Sequence, residues 1–281
     1  MRIRPDFSAM IVTACNDDTL LAQCLEASPD VKSGRQVVHA ERSAKTAGQA
    51  YNRGLDVAGS DARYVVFAHQ DVYFPAGWFD KLEAAIDDLE AKDEPWGVIG
   101  VWGIRADGGY AGRVWCSGAG KEHVAELKDG ELAAEVMSID EIVIVVNPRT
   151  GLRFDDELPG FHLYATDVIL RAREMGLKAF AIDAPVVHNS RPNPNPFDSH
   201  FFAGYRHMAD KWSEQLPLRT CTVPVTKWGW PLRKRWLQRE VRKLRGRGPS
   251  GQRVDNPAAV ARQLGYEASD GSPGKQSSAA A

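Results

Sequence analysis

The chain has 281 residues, 43% of them hydrophobic and 26% charged, with a formal net charge of -2. Such a composition suits a globular protein of one large domain or two small ones, and it excludes an overall electrostatic pull toward nucleic acid or anionic membranes. The four cysteines, Cys15, Cys24, Cys116 and Cys221, form no Cys-x-x-Cys pair, which argues against a zinc ribbon, a redox dithiol or a disulfide scaffold and fits a reducing, cytoplasmic setting.

Ala9 to Ala14 reads as a first strand. The apolar run there is too short, and too soon followed by Asn16-Asp17-Asp18, for a signal peptide. No stretch approaches the roughly 20 apolar residues that cross a bilayer. Leu20, Leu21, Cys24 and Leu25 recur at helical spacing, Arg35 to Ala40 reads as a second strand, and Ala47, Ala50, Tyr51, Leu55 and Ala58 line a helix ending near Gly59. Arg63 to Ala68 is nearly all apolar, as a strand buried on both faces should be. Gly77 to Lys92 is amphipathic, Gly97 to Gly103 reads as one strand, Gly108 to Gly120 as a loop or edge hairpin, and Glu135 to Asn147 as a β-rich run. Val168, Ile169, Ala172 and Met175 mark a helix stopped by Gly176, a strand runs through Ile182, and His200 to Trp212 forms a further helix.

This alternation predicts an α/β fold with a mostly parallel central sheet flanked by helices and a small antiparallel portion. The expected organisation is a main domain over residues 1–215, a basic tryptophan-containing extension over 216–247, and a disordered tail rich in Gly, Ser, Pro and Ala over 248–281. No internal repeat is visible.

The strand Arg63 to Ala68 delivers His69-Gln70-Asp71 into a turn, and ligands of open α/β sheets bind outside the carboxyl ends of strands. His69 and Asp71 stand two apart and project to one side if the chain stays extended. The bland alternative is that Asp71 makes loop hydrogen bonds and His69 is a satisfied, half-buried side chain. The stretch from Phe154 to His188 adds Asp155, Asp156, Glu157, His162, Asp167, Asp183 and His188, groups that are costly to bury unless paired or metal-bound. Upstream, Glu41 ends the second strand, where its carboxylate could meet a nucleotide base or ribose or join a surface salt pair. His69, Asp71 and His188 also fit the two-histidine, one-carboxylate triad of non-haem Fe(II) oxygenases, although those sites usually sit in antiparallel jelly rolls.

Ala-Tyr-Asn-Arg-Gly-Leu (50 to 55), Val-Val-Phe-Ala-His-Gln-Asp-Val (65 to 72), Pro-Ala-Gly-Trp (75 to 78), Gly-Phe-His-Leu-Tyr (160 to 164), Asp167 to Arg171 and Val-Val-His (186 to 188) occur in order. Together they resemble the family-2-type glycosyltransferases of GT-A fold, over about residues 9 to 212. The likeness is strongest to the subgroup that carries His-Gln-Asp where others carry Asp-x-Asp. It implies a nucleotide-sugar donor and a divalent cation, Mn²⁺ or Mg²⁺, at its diphosphate, and the expected reaction is inverting transfer to a glycan or lipid-linked acceptor. By the same resemblance Asp71, His69 and His188 are the metal ligands, and Thr13, Ala14, Glu41, Asn52 and Gln70 are donor-binding.

One position departs from the family pattern, since Ala165 stands where relatives place the general-base aspartate, and alanine cannot accept a proton. Either Asp167 or His162 takes that role, or the chain binds a nucleotide sugar without turning it over. Asp167 is preferred because it opens the helix, although a carboxylate in a first helical turn is also simply stabilising. Trp78, Trp96, Trp102 and Trp115 could stack a sugar ring, although such residues more often serve core or interface packing, and Trp78 reads as core. The basic segment Lys227 to Arg247 suggests peripheral contact with an anionic leaflet, or alternatively a solvated helix or interaction arm, and no nucleic-acid partner.

Overall fold

A computed structural model describes residues 9–193, 195–246 and 251–267. The chain opens with β1 (Ala9–Ala14), α1 (Asp18–Gln23), α2 (Pro29–Lys32), β2 (Val38–Glu41), α3 (Ala47–Ala58) and β3 (Tyr64–Ala68). Next come β4 (Val72–Tyr73), α4 (Trp78–Ala91), β5 (Trp96–Gly100), β6 (Trp102–Ile104), β7 (Tyr110–Cys116), β8 (Lys121–Ala125), β9 (Ala133–Glu135), β10 (Ser138–Ile139) and β11 (Val143–Val146). The remainder is α5 (Tyr164–Glu174), β12 (Lys178–Ile182), β13 (Val186–His188), α6 (Ser199–Lys211), α7 (Trp230–Leu244) and α8 (Pro257–Gln263).

A seven-stranded sheet runs in the order β2-β1-β3-β11-β5-β12-β9. β2, β1 and β3 are parallel neighbours joined by helices, so their carboxyl ends Glu41, Ala14 and Ala68 open on one side. β3 is buried on both faces. Val65 and Phe67 pack toward α3 and α5, while Tyr64, Val66 and Ala68 pack toward α4. Capping explains where the helices begin: Thr46 accepts from Gln49 N ahead of α3, and Asp198 from Phe201 N ahead of α6. A smaller sheet, β10-β6-β7-β13-β4 with β8 on β7, stands beside the first. Its β13–β4 pairing sets His188 opposite Val72, which brings a residue more than a hundred positions away to Asp71.

The α/β architecture matches expectation, but antiparallel pairing is more extensive than a small portion. β11 runs antiparallel to both β3 and β5, and β9 to β12. The expected strand Gly97 to Gly103 is two strands that serve different sheets. Between them Val101 O lies where a Cβ on Gly112 would sit, at 2.1 Å, so β7 crosses tightly at the break. The segment Gly108 to Gly120 is no edge loop, because β7 lies between β6 and β13 and also pairs β8. Nor does a boundary at residue 216 separate a domain, since Leu218, Val223, Val225 and Leu232 belong to the main core.

The expected disordered tail needs the largest correction. Residues 251–267 carry α8, with Ala261 and Tyr266 buried against Tyr73 and Val187. The scarcity of large apolar residues in this stretch concealed its order, because a few anchoring side chains suffice where a sheet face is already built. Residues 248–250 and 268–281 lie outside the described residues.

Candidate functional site

β3 ends at Ala68, and the backbone turns at once: His69 N donates to Ile142 O, and Val72 N to His69 O. The turn divides the three polar residues between two neighbours. Gln70 Oε1 accepts from Asn16 N and Asp17 N at 2.9 and 3.0 Å, fastening the turn to the loop after β1. Asp71 and His69 meet His188 on the other side.

The ligand atoms of His69, Asp71 and His188 all lie within 4.8 Å of one another. His188 Nε2 stands 3.3 Å from Asp71 Oδ1, and the His69 and His188 rings are 5.4 Å apart, edge to face. Burial pushes the His188 pKa down, but the Asp71 carboxylate and its hydrogen bond outweigh this and raise it to about 10. Burial pushes the Asp71 carboxyl up, yet the same pairing prevails and holds it below the usual carboxylate range. Burial, then the charge on His188, lowers the His69 pKa and keeps that ring neutral. Two imidazoles and a carboxylate form a donor set suited to a divalent cation. The positive charge that His188 carries opposite Asp71 is one that such a cation would supply in its place, so these residues fit a metal.

Thr13, Ala14 and Glu41 come together at the parallel ends of β1 and β2, where Thr13 pairs with Ala40 and Ala14 with Glu41. Glu41 accepts from His39 Nε2 at 2.7 Å and lies 3.5 Å from Arg53. Thr13 Oγ1 is buried with no hydrogen-bond partner among the described residues, leaving a polar atom unsatisfied at the strand mouth.

Other expected site residues turn away. Asn52 is buried in α3; its Nδ2 donates to Phe154 O and Asp156 Oδ1, and its Oδ1 accepts from Phe154 N. The amide therefore fastens α3 to the 154–156 loop and does not face a donor. Asp167, the preferred base, is 1% exposed, and its Oδ1 accepts from Lys211 Nζ and Trp212 Nε1 at 2.7 and 2.8 Å. A carboxylate locked under α6 by a cation is poorly placed to receive a proton from substrate. The acidic stretch from Phe154 to His188 is likewise divided: Asp155 pairs with His207 and Lys211, and Asp183 lies 3.4 Å from Arg113. Trp78 is core, as expected, with Nε1 donating to Ala184 O, and Trp102 stacks on Tyr110.

His162 does stand at the mouth, with Nδ1 3.9 Å from Glu141 Oε2. Glu141 went unnoticed in the sequence, although Asp140-Glu141 adjoin the start of the apolar β11 much as His69 adjoins the end of β3. Burial raises its pKa well above the ordinary carboxyl value, against hydrogen bonds from the Leu163 and Tyr164 N–H groups at the start of α5. Leu163 adopts φ 66°, a conformation that a non-glycine residue holds only where its surroundings require it. Tyr164 links the two groups: its hydroxyl donates to Glu141 O and lies 3.1 Å from His69 Nε2. Cys116, at the end of β7, adds a thiol 3.8 Å from His188 Nδ1.

The parallel β1–β3 core with crossover helices is unlike the jelly roll that usually carries an Fe(II) triad. Comparison with known proteins agrees with this. A family described as "Glycosyltransferase like family" matches residues 10–193. A protein of Fuscovulum blasticum named "ATP synthase subunits region ORF 6" is 30% identical over 167 residues, covering 56% of this chain and 62% of that relative. The crystal structure of GalNAc-T7 with UDP, GalNAc and Mn²⁺ superposes with a TM-score of 0.50 at 12% identity, over 74% of this chain and 49% of that one. The mannosyltransferase PcManGT from Pyrobaculum calidifontis, in complex with GDP-Man and Mn²⁺, gives a TM-score of 0.43 at 12% identity, over 92% of this chain and 78% of that one. The chain thus spans about half the length of GalNAc-T7 and less than two thirds of the Fuscovulum relative. With most of its sheet inside the matched segment and the GT-A architecture around it, this chain belongs to the glycosyltransferase-like family.

Proposed function

We propose that this protein transfers a glycosyl group from a nucleoside-diphosphate sugar to an acceptor hydroxyl, with inversion, using Mn²⁺ or Mg²⁺ held by Asp71, His69 and His188. The observation that carries this reading is the gathering of those three ligands at the strand ends of a glycosyltransferase fold. GalNAc-T7, which shares the fold, holds UDP and Mn²⁺ in its crystal structure. The chain is read as a variant with His-Gln-Asp in place of Asp-x-Asp, so imidazole shifts the metal preference toward Mn²⁺. When bound, the cation would act as a Lewis acid on the departing nucleoside diphosphate.

The residues of the chain have distinct tasks. Thr13, Ala14 and Glu41 line the nucleoside end, and Gln70 holds that loop against the metal turn. The acceptor oxygen attacks the anomeric carbon from the face opposite the diphosphate. As the new C–O bond forms and the bond to the diphosphate breaks, the hydroxyl proton passes to His162, whose pKa burial holds below the ordinary imidazole value, so that its ring is free to accept. His162 takes this role in preference to Asp167, whose carboxylate is held by Lys211 and Trp212.

We further place α7 on an anionic bilayer, where it would hold the enzyme beside a lipid-linked acceptor. Trp230, Leu237, Val241 and Leu244 recur on one helical face and are all exposed, Leu244 by 88%. The helix carries six Lys and Arg residues against one Glu, and only Leu232 is buried. Among the described residues no helix is long and apolar enough to cross a membrane, so the contact would be peripheral.

Titration with nucleoside diphosphates and Mn²⁺ tests the reading directly. Wild-type protein should bind one of them only with the metal present, and Asp71→Ala should abolish that binding. Equal affinity in the variant would refute the metal assignment, and donor binding with neither transfer nor hydrolysis would refute catalysis.

A further inference from the structure

The segment 251–267 lies beyond the residues matched to the family, yet it carries a guanidinium to the cation site. Gly251 approaches Ser117 so closely that an added Cβ would meet its carbonyl oxygen at 2.0 Å. Asn189, itself 1% exposed, grips the next turn of chain on both sides. Its Nδ2 donates to Val254 O and its Oδ1 accepts from Val254 N, each at 2.8 Å. Arg253 Nε donates to Asn189 O at 3.1 Å, and Asn189 N donates to Asp71 O. Farther along, Tyr266 donates to Glu122 Oε1, while Glu267 Oε1 accepts from both Tyr73 and Ala76 N. The backbone on either side of Arg253 is therefore fixed, and Arg253 Nη2 comes to 3.9 Å from Asp71 Oδ2.

Neutralising Asp71 does not explain this arginine. His188 is the near partner of Asp71, at 3.3 Å, whereas the guanidinium stands beyond hydrogen-bond distance of the carboxylate and remains partly exposed. Of the two charges of a divalent cation held there, one carboxylate and two neutral imidazoles offset only one. Arg253 then adds another positive charge on the same side. A site with that surplus requires an anionic ligand with several oxygens, and the planar guanidinium fork matches phosphate geometry.

Resting on the donor reading above, we propose that Arg253 is a donor-binding residue that takes the diphosphate of the nucleotide sugar beside the cation. The catalytic unit accordingly extends through Glu267. In the transfer step the electron pair of the breaking glycosidic bond goes to the diphosphate oxygen, and the guanidinium offsets the charge that accumulates there.

The test uses the full chain, with UDP, GDP, ADP and CDP titrated by calorimetry with Mn²⁺ present and Mn²⁺ binding alone followed by electron paramagnetic resonance. Arg253→Ala should keep its Mn²⁺ affinity and lose about 10- to 100-fold in affinity for whichever nucleoside diphosphate the wild type binds. Arg253→Lys should recover part of that loss. Arg253→Met, which keeps the apolar stem, separates a folding defect from a lost contact and should match the alanine variant. Unchanged nucleoside diphosphate affinity in folded Arg253→Ala and Arg253→Met overturns the proposal. Failure of the wild type to bind any of the four with Mn²⁺ overturns the donor reading itself, and this one with it.

Discussion

Asp155 shows how the acidic stretch ahead of α5 is put to structural use. Its Oδ2 accepts from His207 Nε2 at 3.0 Å and from Lys211 Nζ at 2.6 Å, and Lys211 reaches on to Asp167. Burial pushes the Asp155 pKa up, but the Lys211 and His207 hydrogen bonds prevail and lower it to about 2. A folded pKa below the unfolded one means that the carboxylate stabilises the protein fully above the unfolded value and ceases to do so as pH falls through the folded value. Asp155→Asn should therefore cost about 1 to 3 kcal/mol near neutral pH. The gap from wild type should close as pH drops from about 4 toward about 2. Urea melts at several pH values measure this, and a gap that widens on acidification would contradict the assignment. That Asp155 and Asp167 share a lysine could not be read from the sequence, because the partner lies on α6, 44 positions beyond Asp167.

α3 illustrates what an element can conceal. Its apolar spacing from Ala47 to Ala58 is plain, and so is its end at Gly59, but the purpose of its polar and glycine positions is tertiary. A Cβ on Gly48 would lie 2.0 Å from Asp155 O, and one on Gly54 2.5 Å from Val12 Cγ1. With Asn52 bonded to Phe154 and Asp156, the helix is clamped between β1 and the 154–156 loop. Gly54→Ala gains helix propensity worth up to about 1 kcal/mol, yet it drives a methyl group into a stiff, fully buried valine. Overpacking should win, with a net loss of about 1 to 3 kcal/mol and a lower Tm. A Tm equal to or above wild type would show that β1 yields. The motif Ala-Tyr-Asn-Arg-Gly-Leu is thus legible as a family mark, while its asparagine turns out to hold the scaffold.

At the scale of the molecule, α7 presents an apolar stripe that nothing in the chain covers among the described residues. Trp230 within it is 68% exposed and Trp228 beside it 70%, and basic side chains flank it. An amphipathic helix of this type draws binding from buried apolar area and from anionic headgroups together. Wild-type protein should sediment with vesicles containing phosphatidylglycerol, less so at high salt, and not with pure phosphatidylcholine. Replacing Trp230, Leu237 and Leu244 by alanine should weaken that binding at least about tenfold. Salt-insensitive binding, or retention by the triple variant, would remove the membrane assignment.

The sequence by itself determined the alternation of apolar strands and amphipathic helices, the burial of β3 on both faces, and the placing of His69-Gln70-Asp71 at its end. Those are local properties of period and composition, and the family likeness followed from short motifs in order. Only the tertiary structure decided which acids reach the site. It brought His188 to Asp71 through the β13–β4 pairing, turned Asp167 and Asn52 to scaffold tasks, and raised Glu141 beside His162. It also folded residues 251–267 back so that Arg253 stands beside Asp71. No period or motif encodes such meetings, because they depend on strand register and loop closure between residues separated by tens to hundreds of positions.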